Sequence, residues 1–190
     1  MIGKILKFFV GDKSKKDLKL INPIIDKIHS FQKEVSDYSN DELRAQTINF
    51  KTKIFNATSS LHIEIDKIKS EIEQQININQ KESLFSRIDK LNQEIYQISE
   101  SCLEEILPKA FAVVKETASR FVNNKNITVK STDFDLKIAQ TKDYVEIKKN
   151  QAVWKNNWDA AGKNILWDMI HYDVRLIGGV AMHQGKIAEM

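Results

Sequence analysis

The residue types able to do chemistry are thinly spread in this chain. His29, His62, His171 and His183 stand apart, with no cysteine or carboxylate at metal-ligand spacing. Cys102 is the single cysteine, which excludes an internal disulfide and suits a reducing compartment. No G-x-S-x-G, H-E-x-x-H or C-x-x-C run occurs. What does draw attention is the stretch Met169 to Met190, MIHYDVRLIGGVAMHQGKIAEM. Leu176, Ile177, Gly178 and Gly179 make an apolar segment ending in a glycine pair. That pair is a weak signal for a phosphate-binding loop, and close packing or a turn explains it better. Gln184-Gly185 reads as a turn. Lys186 to Met190 reads as a short strand, for which a lone edge would be a liability. The expectation is a chain that forms the front part of something longer.

The second chemical feature is charge at the other end. Ile2, Ile5, Leu6 and Phe9 fall on one helical face, with Gly11 at the expected C′ position. Residues 1–19 carry six lysines against two aspartates. Lys4, Lys7, Lys13, Lys15 and Lys16 are therefore candidates for contact with an anionic membrane surface. A helix docked on its own domain is the competing reading.

Composition bounds the rest. With 190 residues, 42% hydrophobic and 29% charged, the chain can bury a real core. A net charge of +3 is too mild to argue nucleic-acid binding. No apolar run approaches the roughly 18 residues that span a bilayer, and the first ten residues are too short for a signal peptide. Six glycines and two prolines point to long helices.

The elements that must position these residues follow in chain order. Leu20, Ile21, Ile24, Ile25, Ile28 and Phe31 make the stripe of a helix over Asp17 to Val35, with Pro23 at its first turn or a break. Ser39-Asn40-Asp41-Glu42 supplies a cap for a helix carrying Leu43, Thr47, Phe50 and Ile54. Thr58 to Leu107 reads as a helical hairpin. Leu61, Ile65, Ile68 and Ile72 face Leu84, Ile88, Leu91, Ile95, Ile98 and Cys102 across a polar break. It is either a partner-docking arm or an insertion packed only on itself. Leu103 to Val122 reads as a buried helix restarting at Pro108. Asn123 to Trp167 reads as short strands around Ile127, Val129, Tyr144, Val145, Ile147 and Ala152 to Trp154, with Lys148 to Gln151 as a hairpin turn. Trp154, Trp158 and Trp167 read as packing for that β layer.

Three of these stretches carry a resemblance. Tyr172 to Gly179 followed by Gly185 to Met190, the run Ser39-Asn40-Asp41-Glu42-Leu43-Arg44-Ala45-Gln46-Thr47, and LEEILPKAFAVVKETASR from Leu103 to Arg120 resemble the SecA family. SecA is the bacterial ATP-driven motor that pushes preproteins through the membrane channel. The resemblance implies a mostly α chain with a small β portion. N-terminal helices (residues 1–57) and a helical hairpin insertion (58–102) would precede the beginning of a RecA-like α/β nucleotide-binding domain (103–190), with a β insertion at about 123–167. It implies that the chain stops just before a phosphate-binding loop and should not hydrolyse ATP alone. Met169, Tyr172 and Arg175 fall on the family's adenine slot. Arg175 replaces the family's glutamine, Ile170 stands where many members have arginine, and Lys109 where many have glutamate. The family's cofactors are ATP and Mg2+, neither expected to bind well to this chain. Its partners are the SecY channel complex, preproteins, anionic lipid and the ribosome. A homodimer is compatible with it, and no specific nucleic acid is implied. The implied place is the cytoplasm and the cytoplasmic face of the inner membrane. The alternative is a non-enzymatic module that binds a membrane or a protein through the hairpin and the basic N-terminus.

Overall fold

The structure, a computed structural model, describes residues 2–74 and 77–189, with side chains from residue 15 onward apart from the same gap. Three long helices come first: α1 (Ile2–Ser36), α2 (Asn40–Gln74) and α3 (Ile78–Asn123). A small mixed region follows: β1 (Asn126–Lys130), α4 (Asp133–Ala139), β2 (Val145–Lys148), β3 (Gln151–Lys155), β4 (Asn157–Ala160) and β5 (Lys163–Leu166). The last element is α5 (Asp173–His183). The mostly helical class with a small β portion is the class expected. The chain divides into two compact units, Met1–Arg44 with Pro108–Met190, and Ala45–Leu107.

In the first unit, α1 buries Ile21, Ile25 and Ile28 of the expected stripe, with Ile24 and Phe31 half-buried, while Leu20 lies exposed off that face and Val35, not expected, is buried. The expected break at Gly11 is absent, and one helix runs through both segments. A mid-helix glycine costs only about 1 kcal/mol relative to alanine, too little to stop a helix flanked by good formers. Pro23 likewise lies inside α1. The chain then turns into α2 through the expected cap. The Glu42 amide donates to Ser39 Oγ (3.2 Å), and the Ser39 amide donates to Glu42 Oε2 (2.7 Å). This reciprocal pair satisfies two orphan donors at the helix start.

Arg120 closes the other side of that turn. Its guanidinium donates to the Tyr38 carbonyl (2.7 Å), to the Ser36 carbonyl (3.3 Å) and to Asn40 Oδ1 (2.8 Å). A cation on the free carbonyls of a helix C-terminus is favourable both as a hydrogen-bond donor and against the dipole. Pro108 sits buried within an unbroken α3 rather than restarting it. The α3 segment after it buries Ala112, Val113 and Ala118. It meets α1 through Lys109 and Glu34, α5 through Lys115 and Asp173, and the segment after β5 through Phe121 and Trp167.

The three-stranded antiparallel sheet has order β1-β3-β2. Lys148 pairs with Gln151 across a two-residue turn in which Lys149 takes φ 57°. Strands and turn fall where the sequence placed them. A second hairpin, β4–β5, was not expected, nor was α4. Its turn, Ala161-Gly162, has both residues at positive φ (54° and 79°), the geometry of a tight I′ hairpin.

The end of the chain departs most from expectation. Asp173 to His183 is helix, the expected turn at Gln184-Gly185 follows it with Gly185 at φ 71°, and Lys186 to Glu189 forms no strand. Along this helix Leu176, Gly178 and Val180 are buried. Gly179 lies against α3. A Cβ there would come within 2.7 Å of Phe111 Cε1, so the glycine lets the ring lie on the helix. Close packing, not a turn, is its role.

The second unit holds the hairpin seam as expected. Ile65, Ile68 and Leu91 are buried together, with Leu61, Ile72, Leu84, Ile88 and Ile95 packed on them. Arg87 and Glu64 pair across it.

Candidate functional site

The site is built where the β4–β5 hairpin hands over to α5. Asn156 starts the relay. Its side-chain amide donates to the Phe121 carbonyl at 3.1 Å, tying it to α3, and its own carbonyl accepts the Trp167 amide at 2.7 Å. The Trp167 ring lies between Phe121 and Trp158, with centroids 6.3 and 6.4 Å away. Its indole N–H then donates to the Met169 carbonyl at 2.9 Å. This fixes the segment that enters α5.

Of the three residues placed by sequence on this site, two meet. Arg175 Nη1 lies 3.0 Å from the Met169 thioether sulfur. Tyr172 caps α5 in an extended conformation, with its carbonyl accepting the Arg175 and Leu176 amides, and its side chain 72% exposed. Two of the three therefore touch, a half-buried thioether and an exposed guanidinium, and Tyr172 stands exposed at the start of the same helix.

Asp173, next to Tyr172, does not pair with Arg175. It instead accepts from His29 Nε2 at 2.8 Å and lies 3.5 Å from Lys115 Nζ. The His29 hydrogen bond holds its carboxyl below the usual aspartate range, with Lys115 adding a smaller electrostatic contribution. One carboxylate in the first turn of α5 thus joins α1, α3 and α5. Sequence reasoning missed it, because its partners lie 144 and 58 positions away and leave no local pattern. Among the described residues Arg175 has no carboxylate within ion-pair distance.

The other buried centre is Asp135, fully buried in the first turn of α4. Arg44 grips it with two bonds, at 2.8 and 2.9 Å. Thr132 donates through both its amide and its hydroxyl at 2.8 Å, and Trp154 Nε1 donates at 3.0 Å. Burial alone would push this carboxyl up. The bonds from Arg44, Thr132 and Trp154 together outweigh it and bring the pKa from 3.8 to about 2. The signal for it was present as Thr132-x-x-Asp135, a capping-box spacing. This centre is saturated and holds α2, α4 and β3 in register.

Of the candidate membrane residues, Lys15 and Lys16 are exposed on α1, and the side chains of Lys4, Lys7 and Lys13 lie outside the described residues. No helix among the described residues is long and apolar enough to cross a membrane. Among them, too, no three His, Cys, Asp or Glu side chains gather as a metal site. The sequence contains no G-x-x-x-x-G-K-[ST] run.

The model of the SecA DEAD-like domain matches residues 6–190. The chain belongs to the SecA family. It is 52% identical over 189 residues to a protein translocase subunit SecA of Christiangramia forsetii, covering 100% of this chain and 17% of that protein. The corresponding protein of Flavobacterium psychrophilum is 53% identical over 189 residues, with the same coverage. That of Bacteroides fragilis is 45% identical over 188, covering 99% of this chain and 17% of its own length. The chain therefore spans about a sixth of the length of these relatives. No solved structure matches it.

Proposed function

We propose that this chain is part of a SecA-type motor that uses ATP to drive preproteins across the bacterial cytoplasmic membrane through the SecY channel. One observation carries the reading: the likeness to translocase subunits runs the whole length of the chain, including the turn and helix that hold Met169, Tyr172 and Arg175. When bound, ATP supplies the free energy of phosphoryl transfer. This chain's share is to hold the base. Met169 offers an apolar contact, Tyr172 a ring to stack on, and Arg175 hydrogen-bond donors. The Trp167 indole and the Asp173 carboxylate keep the segment and the helix start in place.

On this reading the basic start of α1 lies on anionic lipid at the cytoplasmic face of the membrane. The purified 190-residue chain should show no magnesium-dependent ATP turnover, since its sequence carries no G-x-x-x-x-G-K-[ST] loop. The motor role is tested by exchange. This chain replaces its matched region in the Christiangramia forsetii protein, and ATP-driven preprotein uptake into inverted membrane vesicles is measured. Uptake retained within an order of magnitude is expected. A soluble, folded chimera without uptake even after Arg175→Gln would sink the proposal.

A further inference from the structure

We propose that the helical hairpin of the second unit docks, through one of its two long flanks, on the same flank of a second copy of this chain, and that the two hairpins together make a four-helix bundle.

The hairpin's own seam fixes where each flank lies. Leu61, Ile65, Ile68 and Ile72 on α2 meet Leu84, Ile88, Leu91 and Ile95 on α3, and both series follow a seven-residue repeat. Lys53 pairs with Glu105 and Glu64 with Arg87, so the two helices run in opposite directions. Equivalent positions of the repeat then fall on the same side of the seam. Glu64 and Arg87 each stand one residue before a seam position, and their ion pair marks one flank. The other flank belongs to residues that stand one after a seam position. Phe85 follows Leu84, and Ile78 lies seven residues before it. Phe55 follows Ile54, which lies seven before Leu61, and Ile48 is seven earlier still. Tyr96, eleven residues beyond Phe85, returns to the same side after three turns.

Ile48, Phe55, Ile78, Phe85 and Tyr96 are each more than half exposed. Among the described residues of the hairpin, the other large apolar side chain left open is Ile63, on the side of α2 away from the seam. One flank is thus an ion pair and the other an apolar stripe. An aromatic side chain carries about 150–250 Å2, so the five make a patch on the order of 500 Å2, near the upper limit for a soluble monomer. That approaches the roughly 600 Å2 a side of the smaller specific interfaces. Charge points to the occupant. Lys51, Lys69 and Lys81 border the stripe, as do Asp66, Glu73, Glu82 and Asp89, and Asp66 already reaches Lys69 at 3.5 Å. A rim of nearly balanced sign offers little to a strongly acidic or basic partner. Two copies of it do not repel, and each can set lysines against the other's acids. A two-fold axis brings the same patch of both copies together, and the stripe becomes the second seam of a bundle.

Sedimentation velocity of the 190-residue chain, from micromolar to submillimolar concentration, is the test. A monomer–dimer equilibrium with a micromolar Kd is expected. Phe55→Glu combined with Phe85→Glu, two exposed changes checked by circular dichroism, should weaken the dimer about a hundredfold or more. Aromatic anchors carry most of the energy of an interface, and a two-fold contact presents each change twice. Ile63→Glu, also exposed but off the stripe, should leave the Kd unchanged. Should the double variant fail to fold, Tyr96→Ala, which adds no charge, should still weaken the dimer roughly tenfold. A wild-type chain that stays monomeric at submillimolar concentration overturns the proposal and leaves the flank to a different protein. A dimer that tolerates the stripe variants, or that Ile63→Glu disrupts as strongly, has its interface elsewhere and overturns the proposal as well.

Discussion

Asp135 is a fully buried carboxylate that receives five hydrogen bonds, two from Arg44, two from Thr132 and one from Trp154. Its folded-state pKa lies below its ordinary value, 3.8 falling to about 2. A depressed carboxylate gives stability that is present above the unfolded pKa and is lost as pH falls through the folded one. That window runs from about 4 down to about 2. By linkage the contribution is about 2 kcal/mol. Glu34 and Asp173 are also held below their ordinary range, chiefly by Lys109 and by His29, and move in the same direction. A single variant separates Asp135 from them. Asp135→Asn keeps the shape, but leaves Arg44 without its charge partner, and should cost about 3 kcal/mol at neutral pH. Unfolding followed by circular dichroism at stepped pH checks both parts. The gap between wild type and Asp135→Asn should narrow between pH 4 and 2. A gap that stays constant would place the acid sensitivity elsewhere.

At the scale of elements, Gly179 shows how packing chose between two readings of one stretch. The glycine pair after Leu176-Ile177 read as close packing or a turn, and in α5 Gly179 packs closely on Phe111. Adding a methyl at Gly179 should raise helix propensity by about 1 kcal/mol. It must also displace the Phe111 ring, 2.7 Å from where the Cβ would sit, and overpacking of this kind costs about 1–3 kcal/mol. Gly179→Ala is therefore expected to destabilise the wild type and to stabilise a Phe111→Ala background. Urea unfolding of the four proteins in the cycle reads the change of sign. In the hairpin, Leu91→Ala should cost about 2–5 kcal/mol, since Leu91 is buried with Ile65 and Ile68. The sequence was legible wherever one period carried the signal. The α1 stripe, the Ser39–Glu42 cap, the hairpin seam and the sheet strands were all read from local spacing. It was silent where the deciding partner is remote. Nothing near Gly179 announces Phe111, and nothing near Asp173 announces His29. The prolines misled for a related reason. Pro23 and Pro108 read as breaks, but long helices with favourable packing on both sides carry them through. Of the candidate site, the family motif located Met169, Tyr172 and Arg175, while the Asn156–Trp167 relay that holds them depends on a β4–β5 hairpin marked only by Ala161-Gly162.

At the scale of the whole chain, the question is what the basic start of α1 does. Residues 1–19 hold six lysines against two aspartates, and α1 carries this segment as one helix continuous with the stripe buried further along. Lys15 and Lys16 are exposed there, and Asp17 pairs with Lys186 at 3.1 Å. That pair offsets one acid in the patch, which leaves the segment's surplus of positive charge in place. Each basic residue near an anionic surface contributes about 1 kcal/mol, and the attraction fades within a Debye length, about 8 Å at physiological salt. The sequence expectation that Ile2, Ile5, Leu6 and Phe9 share one helical face would add burial to the same contact. Binding should therefore depend on lipid charge and on salt, and should not require a spanning helix. The expected result is co-sedimentation of the chain with vesicles containing phosphatidylglycerol and not with neutral phosphatidylcholine vesicles. Changing Lys4, Lys7, Lys13, Lys15 and Lys16 to Gln should weaken it at least a hundredfold, and 0.5 M salt should release the wild type on the order of that much. If the quintuple variant sediments with anionic vesicles as well as the wild type does, the start of α1 docks on its own domain and the lipid contact is wrong.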